Sequence, residues 1–152
     1  PGIETTSGPL GSGLSQASGM AYALRMDNKK NWVYCLTSDG EHDAGNTWEG
    51  FMFAGKYKLH NLTAVIDRNN IQIDGFTEQV MPLEPIKEKF EAFNWHVIEV
   101  DGHNIRHIID ASLIGEEDEL NSVIENVIVN QPVPLGTGLP GLIAKIKKPG
   151  EK

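Results

Sequence analysis

Two apolar runs, each followed by a polar turn, constrain the fold of this chain most strongly. Residues 32–37 run into Ser38 and Asp39, and residues 62–67 run into Asn69. A continuous apolar run of this length is typical of a strand buried in a parallel sheet. The space between the two runs fits one helix, so the pattern predicts a strand–helix–strand crossover.

Helical and strand patterns alternate along the rest of the chain. Apolar residues recur at spacings of three and four over residues 14–26, which predicts a helix. The other predicted helices span residues 43–57, 86–93 and 105–113, and the other predicted strands span residues 95–100 and 142–146. This alternation predicts an α/β fold, a three-layer doubly wound and mostly parallel sheet with helices on both faces.

The length of 152 residues fits a single domain. The chain begins at Pro1 without an initiator Met, so we expect residues 1–152 to be a domain truncated at both ends of a longer protein. Residues 115–141 open with an acidic stretch, continue as a mixed helix or strand pattern through Val129, and then become rich in Pro and Gly. We expect this segment to be loop-rich or variable, with a solvated helix start at its acidic end.

The charge balance narrows the class of partner. The 13 basic and 21 acidic residues give a net charge of −8, which disfavours nucleic acid as a ligand. No stretch approaches the ~20 apolar residues of a membrane-spanning helix, so we expect no membrane partner. The single cysteine, Cys35, lies in an apolar run, where a buried and inert thiol is expected.

The two turns bring oxygen ligands to one edge of the predicted sheet. Asp39 and Asn69 are 69 − 39 = 30 residues apart, one crossover in a parallel sheet. Because ligands bind at the carboxyl ends of such strands, a carboxylate and an amide oxygen there would suit Mg²⁺ or Ca²⁺. Gly40 would let the backbone approach a phosphate closely. From the residues alone, ordinary turns and a metal–phosphate site are both open interpretations.

The surrounding residues resemble the diphosphate-binding domain of transketolase, a thiamine-diphosphate-dependent enzyme. The likeness covers nearly the whole chain except residues 115–141. The matching stretches are Pro1-Gly2-Ile3-Glu4-Thr5-Thr6-Ser7-Gly8-Pro9-Leu10-Gly11, Ser38-Asp39-Gly40-Glu41, Val65-Ile66-Asp67-Arg68-Asn69-Asn70, Gln72-Ile73-Asp74-Gly75 and residues 92–103.

The resemblance implies which residues hold the metal and the cofactor. Asp39, the Asn69 side chain and the Ile71 carbonyl would bind Mg²⁺, with Ca²⁺ as a substitute. The implied contacts to thiamine diphosphate come from Gly40, Glu41 and Lys148 near the diphosphate, and from the backbones of Gly8 and Leu10 against the rings.

The resemblance also implies a reaction and its partners. The reaction is transfer of a two-carbon ketol unit between sugar phosphates, in the pentose phosphate pathway of cytoplasmic carbohydrate metabolism. It would require a separate pyrimidine-binding domain or subunit in a homodimer or heterotetramer, so this chain alone should be inactive.

Departures from the family pattern keep other functions open. Ala44 stands where the family commonly has a glutamate linked to the partner active site, and Ser38 where it has glycine. Glu49, a commonly acidic position, is kept and has an expected structural or proton-network role. One alternative is a catalytically silent assembly or regulatory domain. Another is a different thiamine-diphosphate enzyme, such as a two-subunit ketoacid dehydrogenase. His42, beside the Asp-Gly turn, is expected to be exposed.

Overall fold

A four-stranded parallel sheet is the framework of the protein. The computed structural model describes residues 2–6, 8–117 and 124–129. In chain order the elements are α1 (Ser12–Met26), β1 (Val33–Ser38), a 3-10 helix (Gly40–Asp43), α2 (Gly45–Tyr57), β2 (Leu62–Asp67), β3 (Ile71–Gln72), β4 (Gly75–Phe76), α3 (Thr77–Val80), α4 (Ile86–Ala92), β5 (Trp95–Val100), α5 (Ile105–Glu117) and β6 (Ile124–Val129).

The strand order places the two predicted turns side by side. The sheet has the order β1-β2-β6-β5, and β3 and β4 form a separate antiparallel hairpin. β1 and β2 are parallel neighbours whose register sets Val33 opposite Leu62 and Ser38 opposite Asp67. β2 pairs with β6, and β6 with β5, again in parallel. The predicted α/β fold with a parallel sheet is therefore confirmed.

Along each strand, the apolar side chains of successive residues pack into two different cores. Ala64 and Ile66 of β2 belong to the larger core, whereas Val65 between them packs against the smaller one. On β5, Trp95 and Val97 lie with the larger core. This alternation follows from the two-residue period of a strand, and it means that helices cover both faces of the sheet.

The larger core lies between the sheet and three helices. Its buried members come from α1, α2, α4, the strands and nearby loops: Leu14, Ala17, Ala21, Cys35, Phe51, Ala54, Leu59, Leu62, Ala64, Ile66, Leu83, Ile86, Phe90 and Trp95. The smaller core lies under α5, where Ala111 packs with Ile98 and Val100 of β5. Burying a side chain such as Phe51 completely stabilises the fold by about 1.5–3 kcal/mol.

The helices on the larger core have matching apolar stripes and defined ends. In α1 the buried residues Leu14, Ala17, Ser18 and Ala21 follow the three-and-four spacing of one helical face. The chain leaves α2 at Lys58, which has a left-handed backbone with φ of 49°. A left-handed residue at this position ends a helix because it turns the chain out of the helical path.

The sequence leaves the structure of one segment open. Residues 115–141 are expected to be loop-rich or variable, with a mixed helix or strand pattern as far as Val129, and the structure places the end of α5 and strand β6 there, with β6 between β2 and β5. The predicted strand at residues 142–146 lies outside the described residues. Among the helices that the structure describes, none has the length and apolar character needed to cross a bilayer.

Candidate functional site

The ends of β1 and β2 meet at one edge of the sheet. The Asp39 N–H donates to the Asp67 carbonyl at 3.1 Å, which continues the parallel pairing by one step. The Asn70 N–H then donates to Asp39 Oδ2 at 2.7 Å. The loop that carries Asn69 is therefore joined directly to the carboxylate of Asp39, as the predicted sheet requires.

The Asp39 carboxylate is buried and held by three donors. Its exposed fraction is 0%. Oδ2 accepts from Asn70 N–H and from Arg68 Nη1 at 2.9 Å, whereas Oδ1 accepts, among the described residues, from the Gly40 N–H alone at 2.7 Å. Because each carboxylate oxygen can accept about two bonds, Oδ1 keeps capacity for one further partner.

Arg68 is the group that compensates this buried charge. Its side chain is 2% exposed and contacts Asp39, Glu78 and Glu84 at N–O distances of 2.7–2.9 Å. Nη1 also donates to Thr77 Oγ1 at 2.6 Å. One guanidinium thus joins the end of β1 to the segment from α3 to the start of α4. Sequence reasoning missed this residue, although its place directly after a buried strand was a signal.

Asn69 lies on the exposed side of the same junction. Its Oδ1 accepts from the Ile71 N–H at 2.9 Å, and its Nδ2 donates to Asp67 Oδ2 at 3.1 Å. Both bonds stay within its own turn. The β3–β4 hairpin that follows presents apolar side chains to solvent, with Ile71 59%, Ile73 102% and Phe76 57% exposed.

Gly40 lies against the same hairpin, so a side chain has no room there. A Cβ at Gly40 would lie 2.7 Å from the Cβ of Gln72, well inside van der Waals contact. Glycine therefore allows the turn after β1 to approach the hairpin after Asn69 closely.

Residues 8–11 form a loop that reaches the start of α2. The Gly11 N–H donates to Glu41 Oε1 at 3.0 Å, and Asn46 Nδ2 donates to the Leu10 carbonyl at 3.4 Å. The side chain of Leu10 is 63% exposed, and Gly8 is exposed as well. The loop is therefore held mainly by its backbone.

The Glu41 carboxylate also affects the one cysteine. Cys35 is 7% exposed, which confirms the buried thiol expected from the sequence. Burial raises the pKa of the Cys35 thiol to about 11, and the negative charge of Glu41 adds to that rise. The thiol is consequently protonated and unreactive at neutral pH.

The expectation that His42 is exposed is wrong. The ring is 2% exposed and lies within 5.7 Å, centroid to centroid, of the rings of Trp48, Phe51 and Phe90. Its Nδ1–H donates to the Ser38 carbonyl at 2.9 Å, and Nε2 has no partner among the described residues. Burial lowers the pKa of His42, so the neutral ring is favoured. The ring fills the space between α2 and α4.

The donor set at the junction fits a hard divalent cation. Among the described residues, no three His, Cys, Asp or Glu side chains are grouped to hold a metal ion. A cation here would therefore depend on Asp39 Oδ1 together with amide, carbonyl and phosphate oxygens, which are the ligands that Mg²⁺ accepts. Lys148 lies outside the described residues, and Glu49 is exposed on α2.

A family model describes most of this chain. Residues 1–129 match the family described as transketolase, thiamine diphosphate binding domain. The chain is 49% identical over 110 residues to the 6-deoxy-6-sulfo-D-fructose transketolase subunit of Clostridium sp. strain MSTE9, a match that covers 72% of this chain and 40% of that protein.

Two further proteins extend the likeness. The chain is 36% identical over 152 residues to an apulose-4-phosphate transketolase subunit of Actinobacillus succinogenes, covering 99% of this chain and 55% of the relative. The crystal structure of transketolase from Campylobacter jejuni has a TM-score of 0.77 at 29% identity, over 85% of this chain and 21% of that one. The chain thus spans about half or less of the length of these relatives.

Proposed function

The chain belongs to the family of transketolase thiamine diphosphate binding domains, and from that premise we propose that it binds Mg²⁺ and thiamine diphosphate at the junction of β1 and β2. Asp39 Oδ1, Asn69 Oδ1 and the Ile71 carbonyl hold the cation, and the cation holds the diphosphate. The observation that carries this proposal is the bond from Asn70 N–H to Asp39, which joins the two ligand-bearing loops.

The charges around the junction support a cation. Arg68 brings one positive charge and Asp39, Glu78 and Glu84 bring three negative ones, so this cluster has a net charge of 1 − 3 = −2. The whole chain is also negative, at −8. A diphosphate would therefore be repelled in the absence of a cation, and Mg²⁺ reverses the local sign.

The backbone supplies the remaining contacts in this proposal. The turn at Gly40 would contact the diphosphate, with Lys148 as a further candidate from the resemblance, and the backbones of Gly8 and Leu10 would lie against the rings. Thiamine diphosphate, when bound, supplies a carbon nucleophile for transfer of a two-carbon ketol unit between sugar phosphates. The residues of this chain bind and orient it.

The activity requires more protein than this domain. We propose that a pyrimidine-binding domain or subunit covers the cofactor and the exposed hairpin residues Ile71, Ile73 and Phe76, in a homodimer or heterotetramer. Two relatives are themselves called transketolase subunits, which favours a separate partner chain. We also propose that the protein acts in the cytoplasm, in the pentose phosphate pathway. The complete domain would be a three-layer doubly wound sheet.

Calorimetric titration of the full-length protein with thiamine diphosphate tests the site. We expect binding with Mg²⁺ present and none with EDTA. Asp39→Asn should weaken the Mg²⁺-dependent binding by about tenfold or more, or ~1.4 kcal/mol. Asp74→Asn makes the same chemical change at an exposed position of the hairpin and should leave binding unaltered. Equal affinity for Asp39→Asn and wild type, or binding that ignores Mg²⁺, would refute the proposal.

A second candidate function is a silent assembly or regulatory domain, which Ala44 favours. An assay of ketol transfer, on the full-length protein mixed with its pyrimidine-binding partner, distinguishes the two functions. Turnover supports the enzyme, whereas tight cofactor binding without turnover supports the silent domain.

A further inference from the structure

We infer that Glu41 and Asn46 are positioning residues that set the loop of residues 8–11 for the cofactor rings, and that Glu41 acts through Gly11 rather than on the diphosphate. This inference rests on the proposed function. It differs from the expectation that Glu41 contacts the cofactor, because its carboxylate is directed at a backbone N–H of another segment.

The first observation is the bond between Glu41 and Gly11. The carboxylate accepts from the Gly11 N–H at 3.0 Å across 30 residues of chain. A bond from an N–H to a charged carboxylate is roughly twice as strong as one between neutral groups. The Gly11 backbone has φ of +79°, a conformation that glycine adopts without strain.

The second observation is a bond from α2 to the preceding residue of the loop. Asn46 Nδ2 donates to the Leu10 carbonyl at 3.4 Å, and the Asn46 carbonyl in turn accepts from Ser15 Oγ at 3.3 Å. Glu41 and Asn46 therefore contact the same stretch of loop backbone, one as acceptor and the other as donor.

The third observation is the close fit of Gly11 on the start of α2. A Cβ at Gly11 would lie 2.7 Å from Thr47 Oγ1 and 2.8 Å from the Ala44 Cβ. Glu41 is itself fixed, since its carbonyl accepts from Thr47 Oγ1 at 2.8 Å. The surface on which the loop lies is thus part of the folded domain.

Besides these contacts, the loop is held at its junction with α1, where the N–H and Oγ of Ser12 donate to the Pro9 carbonyl at 3.2 and 2.7 Å. Leu10 is 63% exposed, so its side chain does not fix the loop by burial. Removing the acceptor at Glu41 or the donor at Asn46 would remove one of the two bonds that attach the backbone of residues 8–11 around the start of α2, and would let the loop shift there. The affinity of the rings would fall, and the affinity of the diphosphate for the metal junction would not.

A comparison of thiamine diphosphate with inorganic pyrophosphate, which has the diphosphate but no rings, tests this role. The experiment uses the full-length protein with its partner and saturating Mg²⁺. Calorimetry gives the dissociation constant of thiamine diphosphate, and competition with the cofactor gives the dissociation constant of inorganic pyrophosphate. Glu41→Ala and Asn46→Ala should each weaken thiamine diphosphate binding by about tenfold and leave the pyrophosphate constant unaltered. Glu41→Gln, which keeps an acceptor oxygen, should lose less than Glu41→Ala.

Control variants test whether the change in binding is specific to the loop contacts. Glu88→Ala removes an exposed carboxylate from α4 and should change neither constant. Asn46 is exposed, so its variant reports on the loop even if Glu41→Ala does not fold. Equal weakening of both ligands would overturn the inference, and so would unaltered binding of both. If the wild-type protein itself does not bind thiamine diphosphate, the proposed function fails instead.

Discussion

The two sides of the β1–β2 junction satisfy their polar groups in different ways. On the buried side, Asp39, His42 and Arg68 are at most 2% exposed, and the Asp39–Arg68 pair connects segments far apart in the chain. On the exposed side, the side-chain bonds of Asn69 to described residues stay within its own turn, and the hairpin residue Ile73 is fully exposed. The buried side is thus part of the domain core, whereas the exposed side is shaped by local contacts.

This difference assigns separate tasks to the two sides. A carboxylate held by three donors keeps its position without a ligand, so the buried side offers a fixed oxygen to a cation. Local contacts cost little to rearrange, and segments that close on ligands are usually among the less stable parts of a fold. We therefore expect stability to depend on the buried side and binding to draw on both.

The largest expected effect is on Arg68. Arg68→Met would leave the fully buried Asp39 carboxylate without its cation, which typically costs about 3–5 kcal/mol when one partner of a buried pair is removed. The measurement is the free energy of unfolding by urea, on protein free of metal and cofactor. Lys87→Met is the matched control, because Lys87 is 38% exposed and its nitrogen lies 4.0 Å from Glu91. Exposed pairs contribute about 0–1 kcal/mol. If Arg68→Met and Lys87→Met had equal free energies of unfolding, stability would not depend on the buried side of the junction.

A smaller effect is expected for His42 and depends on pH. Burial lowers the pKa of His42 from the usual 6.5. The unfolded chain then binds a proton more readily than the folded one, so the folded state is fully favoured above about pH 6.5 and loses stability as the pH falls through that value.

His42→Phe should therefore reduce the loss of Tm between about pH 7.5 and about pH 5.5, a window that spans the ordinary histidine pKa. At neutral pH the change in stability should be about 1 kcal/mol or less, because the variant loses the bond to Ser38 and also the unpartnered Nε2. His107→Phe, at an exposed position of α5, is the control. A variant that keeps the full pH dependence of wild type would show that His42 does not contribute to it. His60 and His96 also have a lowered pKa through burial, so some dependence should remain.

The smallest effect on stability is expected on the exposed side. Ile73→Ser should change the free energy of unfolding by no more than about 0.5 kcal/mol, as is usual for surface substitutions. It should nevertheless weaken association with the pyrimidine-binding partner, measured by analytical ultracentrifugation. Ile109→Ser, at a position of α5 that is 51% exposed, should alter neither quantity. Unaltered association for Ile73→Ser would mean that the partner does not cover the hairpin.

Much of the fold could be predicted because its strands have a simple pattern. The run at residues 62–67 is largely apolar and matches β2 at both ends, and residues 95–100 match β5. The sequence leaves helix and strand open at β6, because Glu125 and Asn126 interrupt the apolar run of Ile124–Val129 and an acidic stretch precedes it. Hydrogen bonding to neighbours on both sides outweighs local preference in such a strand.

The candidate site could be predicted only where it follows from topology. Adjacent parallel strands had to bring the loops of Asp39 and Asn69 together. The roles of Arg68 and His42 depend instead on packing among α2, α3 and α4. A charged or titratable residue is usually exposed, so the burial of these two follows from the packed fold and not from the sequence pattern. Metal ligation by Asp39, Asn69 and Ile71 stays a prediction.

The guanidinium of Arg68 has a consequence for protein engineering. It serves carboxylates from the end of β1, from α3 and from the residue before Pro85, so these three stretches form one exchangeable unit. A chimera that takes one of them from a relative lacking the matching carboxylate would leave the buried guanidinium with one ion pair fewer. Recombination that moves all three together with Arg68 keeps the charges matched.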